Sequence, residues 1–270
     1  MNLRLATWNI NSVRLRIASV QRLLTEHAPD VLCLQEIKCA SELFPREAFA
    51  AAGYPHAVVH GQPGYHGVAT VSRFPLTEIV RHDLNGTGEA RHLAVKVVPK
   101  ARHKGLVVDN FYVPSGGDEP DRKVNAKFGH KLDYLAGMAK WMGAGAEGGT
   151  NRVAVGDMNV APLEHDVWSH KKMLGIVSHT PIEVEAVAKV MAAGEWGDVM
   201  RGFVPEAEKL YTWWSYRSAD WLTADKGRRL DHVWLNKKAS AKATAMTVLK
   251  DARGWTQPSD HVPVIVDLEV

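Results

Sequence analysis

The sequence predicts an α/β fold with long loops. Three observations carry that expectation: eight short apolar or alternating runs of strand length, three stretches of helical periodicity between some of them, and a chain of 270 residues, long enough to bury a sizeable core. In chain order, the first run is 3–8, after which Ile17, Val20 and Leu24 recur on one helical face. Strands follow at 31–34, 68–72, 93–98 and 106–111. A second helix is expected where Val124, Phe128, Leu132, Leu135 and Met142 keep a helical spacing. The stretch 143–149, GAGAEGG, reads as a linker, because a dinucleotide-binding fingerprint needs strand, glycines and helix in that order and here a helix comes first. After a strand at 153–155, a third helix opens at Thr180. There Thr180 and Glu183 form a capping box with Pro181 at the first helical position, ahead of Val184, Val187 and Met191. Strands at 232–235 and 262–270 complete the pattern.

Length points to one domain over 1–270. No run of about 18 apolar residues occurs, and residues 1–6 lack the basic-then-apolar pattern of a secretory signal, so a soluble, cytoplasmic protein with no membrane partner is expected. Cys33 lies inside an apolar run and Cys39 follows closely, a spacing that suits neither a disulfide framework nor a metal site, so both read as reduced thiols. A net charge of +3 and a pI of 8.8 admit nucleic acid as a partner without selecting it.

Acidic and amide residues fall at strand ends, where a sheet scaffold presents chemistry. Asn9 and Asn11 follow the first strand and Glu36 the second; Asp157 and Asn159 follow the strand at 153–155; Asp231 precedes 232–235, and Asp260 with His261 precedes the last strand. One such residue commonly just caps a turn. Five strand ends with the same chemistry suit phosphodiester hydrolysis. Carboxylate and amide oxygens are hard ligands that favour magnesium, which balances charge developing on a phosphate. A buried Asp among amides can accept the proton of an attacking water, and a His paired with a second Asp can stay protonated to bind the phosphate. No HExxH or Cys/His cluster suggests zinc, and no GxSxG elbow is present.

Eight motifs occur in order: TWNINSVR (7–14), PDVLCLQEIK (29–38), GYHGVA (64–69), NFYVPSG (110–116), GDMNVAP (156–162), YTWWSYR (211–217), RLDHVW (229–234) and PSDHVP (258–263). On these the sequence resembles the exonuclease III family of abasic endonucleases, within the endonuclease/exonuclease/phosphatase superfamily, nearly end to end. The resemblance implies a four-layered α/β sandwich, two face-to-face mixed β-sheets flanked by helices, with the site at one edge. It implies a monomer that acts on double-stranded DNA carrying abasic sites or blocked 3′ ends, with Mg²⁺ as cofactor and Mn²⁺ able to replace it. Carried over by motif, Glu36 is the principal metal ligand, with Asn9 and Asp260 near the metal. Asp157 is the base or positions the water, Asn159 orients it and touches the phosphate, and His261 paired with Asp231 contacts the scissile phosphate. Tyr112 supplies a phenol to the phosphate. Trp213 walls the sugar pocket with Leu230 opposite, and Trp214 belongs to the core. Lys38 and Arg91 are candidates to meet DNA phosphates, against the commoner fate of a charged loop residue, which is simply to be solvated.

Three departures stand out: Ser115 where relatives often carry Asn, Asp225 where Asn often precedes the Gly-x-Arg-x-Asp element, and an atypical stretch 165–177 with Met173, Ile176 and Val177. A bulky side chain in that stretch would bias the enzyme toward 3′ end trimming over abasic incision. Two other readings share these residues: a superfamily phosphodiesterase acting on RNA or a phospholipid headgroup, and a DNA-binding protein that has lost catalysis. The YTWWSYR segment speaks against the first, and the complete ligand set against the second.

Overall fold

The computed structural model describes residues 2–99, 105–144, 151–218, 220–236 and 241–270; residues 145–149 of the stretch read as a linker lie outside them. The first half contains β1 (Asn2–Asn9), α1 (Ile17–Glu26), β2 (Val31–Gln35), α2 (Arg46–Ala51), β3 (His56–His60), β4 (Val68–Ser72), β5 (Leu76–Val80), β6 (His92–Val97) and β7 (Leu106–Tyr112). The second half contains α3 (Ala126–Ala144), β8 (Arg152–Asp157), α4 (His170–Met173), α5 (Pro181–Ala193), β9 (Trp196–Asp198), α6 (Val199–Phe203), α7 (Trp221–Ala224), β10 (Asp231–Asn236), β11 (Lys242–Val248) and β12 (Val264–Glu269).

The strands form two six-stranded sheets, ordered β11-β12-β1-β2-β4-β3 and β5-β6-β7-β8-β10-β9. Each is mixed and has one parallel pair near its centre, β1 with β2 and β7 with β8. A crossover carrying α1 joins the first pair and one carrying α3 the second, as parallel strands require. Leu3, Leu5, Val31, Val68, Val95, Val108, Val153, Val233 and Val266 fill the layer between the sheets. Trp8, Leu32, Leu34 and Val71 face α1 and α2 on one outside, while Phe111 and Ala154 face α3 and α5 on the other. The expected four-layered sandwich is therefore present. The central strands β2, β4 and β7 are buried on both faces, which is why their sequences read as continuous apolar runs. A buried amide ties the sheets together: Asn110 on β7 accepts from Gln35 Nε2 at 2.7 Å and donates to the carbonyls of Leu34 and Ala69.

Helix starts follow local chemistry. The Thr180 and Glu183 capping box forms, with the Thr180 amide donating to Glu183 Oε2 at 3.1 Å. The second helix begins later than its apolar spacing suggests. Asn125 Oδ1 accepts from the Lys127 amide, so the helix starts at Ala126, and Val124 is left outside it and exposed. The last strand starts at Val264, because the Val262 amide pairs with the Thr212 carbonyl and Pro263 has no amide hydrogen to give. Among the described residues no helix is long and apolar enough to cross a membrane.

Candidate active site

The carboxyl ends of the two parallel pairs meet at one edge of the sandwich. In register, Asn9 lies beside Gln35 in one sheet, and Tyr112 beside Asp157 in the other, with Asp231 opposite Asp157 across the antiparallel β10. The chain then leaves β2 through unusual backbone. Glu36 and Lys38 have φ of 49° and 51°, and Asn159 after β8 has 53°. For a side chain such as Glu this left-handed conformation costs roughly 1–3 kcal/mol and persists only where surrounding bonds over-determine it. Those bonds are present: the Glu36 carbonyl accepts from the Ser12 amide at 2.7 Å, and the Ile37 and Lys38 amides donate to the Gly67 and His66 carbonyls. Gly156 has φ of 132°, and a Cβ there would collide with the Phe111 carbonyl, so only glycine lets β8 approach β7 closely enough to present Asp157.

The side chains of this edge converge. Asn9 Nδ2 donates to both Glu36 Oε1 and Asp157 Oδ2, each at 2.9 Å, and so holds together two carboxylates from different sheets. Its Oδ1 accepts from the Asn11 amide. Asp157 also accepts from the Asn159 amide at 2.9 Å and from Asn159 Nδ2 at 3.0 Å, while Asn159 Nδ2 donates to the Val113 carbonyl as well. Both amide hydrogens of Asn159 are thus spent on orienting Asp157 and its loop. Burial raises the Asp157 carboxyl to about 7, with Asp231 and Glu36 adding to the rise and His261 and Asn9 opposing it. Burial acts the same way on Glu36, but Lys38 at 2.9 Å and Asn9 outweigh it and leave that carboxyl below its ordinary value. Burial, together with Glu36 and Asp157, holds the Tyr112 phenol protonated far above its ordinary range.

His261 completes the group. Its Nδ1 donates to Asp231 Oδ2 at 2.8 Å, Ser259 Oγ receives its amide, and its carbonyl accepts from the Trp8 indole. The Ser259 hydroxyl in turn donates to the Asn9 carbonyl at 2.7 Å, so the PSDHVP turn is docked on the end of β1. Thr212 Oγ1 accepts from the Asp231 amide and fixes the other half of the dyad. Burial works against the imidazolium, yet Asp231 and then Asp157 prevail and lift it to about 10, so His261 is cationic at neutral pH. Its Nε2 lies 3.7 Å from Asp157 Oδ2, too far for a direct hydrogen bond and open to an incoming oxygen.

Glu36, Tyr112, Asp157, Asn159, Trp213, Leu230, Asp260 and His261 all line one cleft of about 690 Å³. Trp213 donates its indole N–H to Asp260 Oδ2 at 2.9 Å, and Asn11 takes Asp260 Oδ1, so Asp260 is held at the cleft wall. Trp213 packs with Leu230, Val167 and Met173, and Trp214 is buried as expected. The two basic residues that are candidates to meet DNA phosphates are both engaged within the protein. Lys38 is tied to Glu36 and Asn11 Oδ1. Arg91 is buried behind Tyr112, its guanidinium 4.7 Å from the ring centre and paired with Glu89, so it braces the phenol and does not meet solvent.

Sequence reasoning missed several residues here. Lys131 is fully buried on α3 and bonds the Asn159 and Ser115 carbonyls and Glu183, anchoring the loop that carries Asn159. Its place on the apolar stripe of Phe128, Leu132 and Leu135 was the available signal. Trp168, Ser178, Arg217, Lys226 and Arg228 also line the cleft.

The donor set fits a hard divalent cation. Glu36, Asp157 and Asp260 bring only carboxylate oxygens to the cleft, and the charges of Asp231 and Glu36, which add to the rise that burial imposes on Asp157, are of the kind a cation would relieve. Among the described residues one grouping of ligand atoms, from Asp157, Asp231 and His261, lies within 4.8 Å. A cation seated there would displace the proton that joins His261 to Asp231, so the Glu36 side of the cleft is the better fit.

Comparison with known proteins agrees with this geometry. The chain is 28% identical over 268 residues to exodeoxyribonuclease III of Haemophilus influenzae, covering 97% of this chain and 98% of that protein. An AP endonuclease from Archaeoglobus fulgidus superposes with a TM-score of 0.88 at 29% identity, covering 99% of this chain and 100% of the other. The 3′ phosphatase NExo from Neisseria, solved bound to a product DNA hairpin, also gives 0.88, at 28% identity and with the same coverage. Residues 6–261 match the Endonuclease/Exonuclease/phosphatase family, and the chain belongs to that family.

Proposed function

We propose that this chain is a magnesium-dependent DNA-repair nuclease that hydrolyses duplex DNA 5′ to abasic sites and clears blocked 3′ ends, acting as a monomer. The observation that carries the reading is the pairing, in one cleft, of a carboxylate poised near neutrality with an imidazolium 3.7 Å away. Asp157, steered by Asn9 and Asn159, takes the proton of the attacking water. His261, kept cationic by Asp231, donates Nε2–H to a phosphate oxygen, and Tyr112, braced by Arg91, offers its O–H to the same group. Glu36 and Asp260 would hold Mg²⁺, with Asn9 and Lys38 setting the Glu36 carboxylate; when bound, the ion balances charge on the phosphate. Trp213 and Leu230 give the cleft an apolar wall suited to a sugar without its base, which costs little to extrude. The relatives named exodeoxyribonuclease III, AP endonuclease and 3′ phosphatase support the reading.

A substrate panel tests it. Duplexes bearing a tetrahydrofuran abasic analogue, a 3′ phosphate or a clean 3′ end are compared with an RNA duplex and a phosphoinositide headgroup. Faster turnover of the damaged DNA duplexes is expected. Preference for the RNA or the headgroup would overturn the assignment.

A further inference from the structure

Arg228 is a cation in the cleft with no counter-charge. Its chain neighbour Arg229 is paired with Asp166 and Asp198, and buried Lys131 with Glu183. Arg228 forms no ion pair with a carboxylate among the described residues, and its nearest acidic influence is the charge of Glu183, already held by Lys131. Nη1 donates to the Val177 carbonyl at 3.1 Å and to Ser178 Oγ at 2.9 Å, and the guanidinium carbon lies 5.0 Å from the centre of the Trp213 ring. Nε is buried with no hydrogen-bond partner. Arg217 and Lys226, which also line the cleft, are exposed.

These contacts hold the guanidinium beside the indole, among Trp213, Leu230 and Val177, and leave Nη2 with no hydrogen-bond partner among the described residues. A neutral sugar placed there would keep a partly desolvated cation unpaired, which is costly. A carboxylate or phosphate oxygen would give Nη2 a charge-assisted hydrogen bond.

We propose that Arg228 is a specificity-determining residue that favours 3′ ends carrying an extra anionic oxygen next to the scissile phosphate over ends carrying a neutral sugar. The inference rests on the nuclease reading and deepens it. Two sources share the chemistry: a glycolate esterified to the 3′ phosphate, whose carboxylate extends into the pocket, and a 3′ phosphomonoester, whose second charge lies on the phosphate itself. In either case water adds to phosphorus, the bond from phosphorus to the DNA 3′ oxygen breaks, and that oxygen leaves as a hydroxyl after taking up a proton. The glycolate carboxylate is unchanged by the reaction.

The test measures kcat/KM of wild type, Arg228→Gln, Arg228→Lys and Ser178→Ala on duplexes ending in 3′ phosphoglycolate, ending in 3′ phosphate, or carrying tetrahydrofuran. In Arg228→Gln the ratio of phosphoglycolate to tetrahydrofuran turnover should fall roughly tenfold or more, with a smaller fall for the 3′ phosphate, as expected for losing a charge-assisted hydrogen bond. Arg228→Lys, which keeps the charge but not the fork, should fall between. Ser178→Ala removes one of the two contacts that hold the guanidinium and keeps the charge, so its ratio should fall less than that of Arg228→Gln. It also separates a lost charge from a loosened wall should Arg228→Gln fold poorly. An unchanged ratio in Arg228→Gln, or an equal fall in Ser178→Ala, overturns the proposal while the nuclease reading stands. Wild type inert on all three duplexes overturns both.

Discussion

Asp157 carries the sharpest electrostatic conflict in the cleft. Burial, Asp231 and Glu36 all oppose its charge, which holds its carboxyl near 7, and a base with that property gains activity as the pH rises through that region. Asp157→Asn keeps the size and removes the proposed proton acceptor, so single-turnover rates should drop by about 10² to 10⁴ and the rise with pH should flatten. A variant within about threefold of wild type would remove Asp157 from that role. The same raised value has a consequence for stability. Protonated Asp157 favours the fold fully below its ordinary value of 3.8, and the contribution is lost as pH climbs through about 7. In EDTA, then, Asp157→Asn should melt higher than wild type at pH 8, and the gap should close toward pH 5. Residues such as Asp157, Glu36 and His261 were legible because each follows or precedes a recognisable strand. Arg91 was not, since its pairing with Glu89 behind Tyr112 depends on β7 folding over it. Arg228 and Lys131 find their partners some fifty residues away, at Val177, Ser178 and Glu183, and no local pattern signals that.

Among the elements, β8 decides whether the site assembles, and it depends on one glycine. Gly156→Ala would force a Cβ against the Phe111 carbonyl at a φ that L side chains rarely adopt. A loss of roughly 1–3 kcal/mol is expected for such strain, or about 2–4 °C in Tm for each kcal/mol in a chain of this size. The surviving folded protein should also be slower, because Asp157 and the Asn159 loop shift together. Unaltered Tm and rate would mean that β7 and β8 have room the geometry denies. The central strands were readable as apolar runs. The strands β3, β5, β9 and β11 escaped because they sit at or near sheet edges, where burial is partial and polar residues interrupt the pattern: Leu76–Val80 has three exposed residues, and Lys242–Val248 alternates only weakly. Composition was equally silent on how the α1 and α3 crossovers bring two parallel pairs to one edge.

At the scale of the whole molecule, neither half of the site exists alone. Glu36 and Asn9 leave one sheet, Tyr112 and Asp157 leave the other, and β12 must return to pair with β1 before His261 can reach Asp231. Such mutual dependence should make 1–270 unfold as one unit, with near- and far-UV circular dichroism melting together. Two separated transitions would instead divide the chain. A divalent cation that binds only the assembled edge should raise that single Tm with concentration. Metal-assisted hydrolysis at this edge is tested most directly by a time course on a 5′-labelled duplex with one tetrahydrofuran site. The strand should be cut once, 5′ to the lesion; EDTA should stop the reaction, added Mg²⁺ should restore it, and Glu36→Ala should not recover at the same Mg²⁺ concentration. Cleavage that continues undiminished in EDTA, or that Glu36→Ala performs as fast as wild type, would contradict the account.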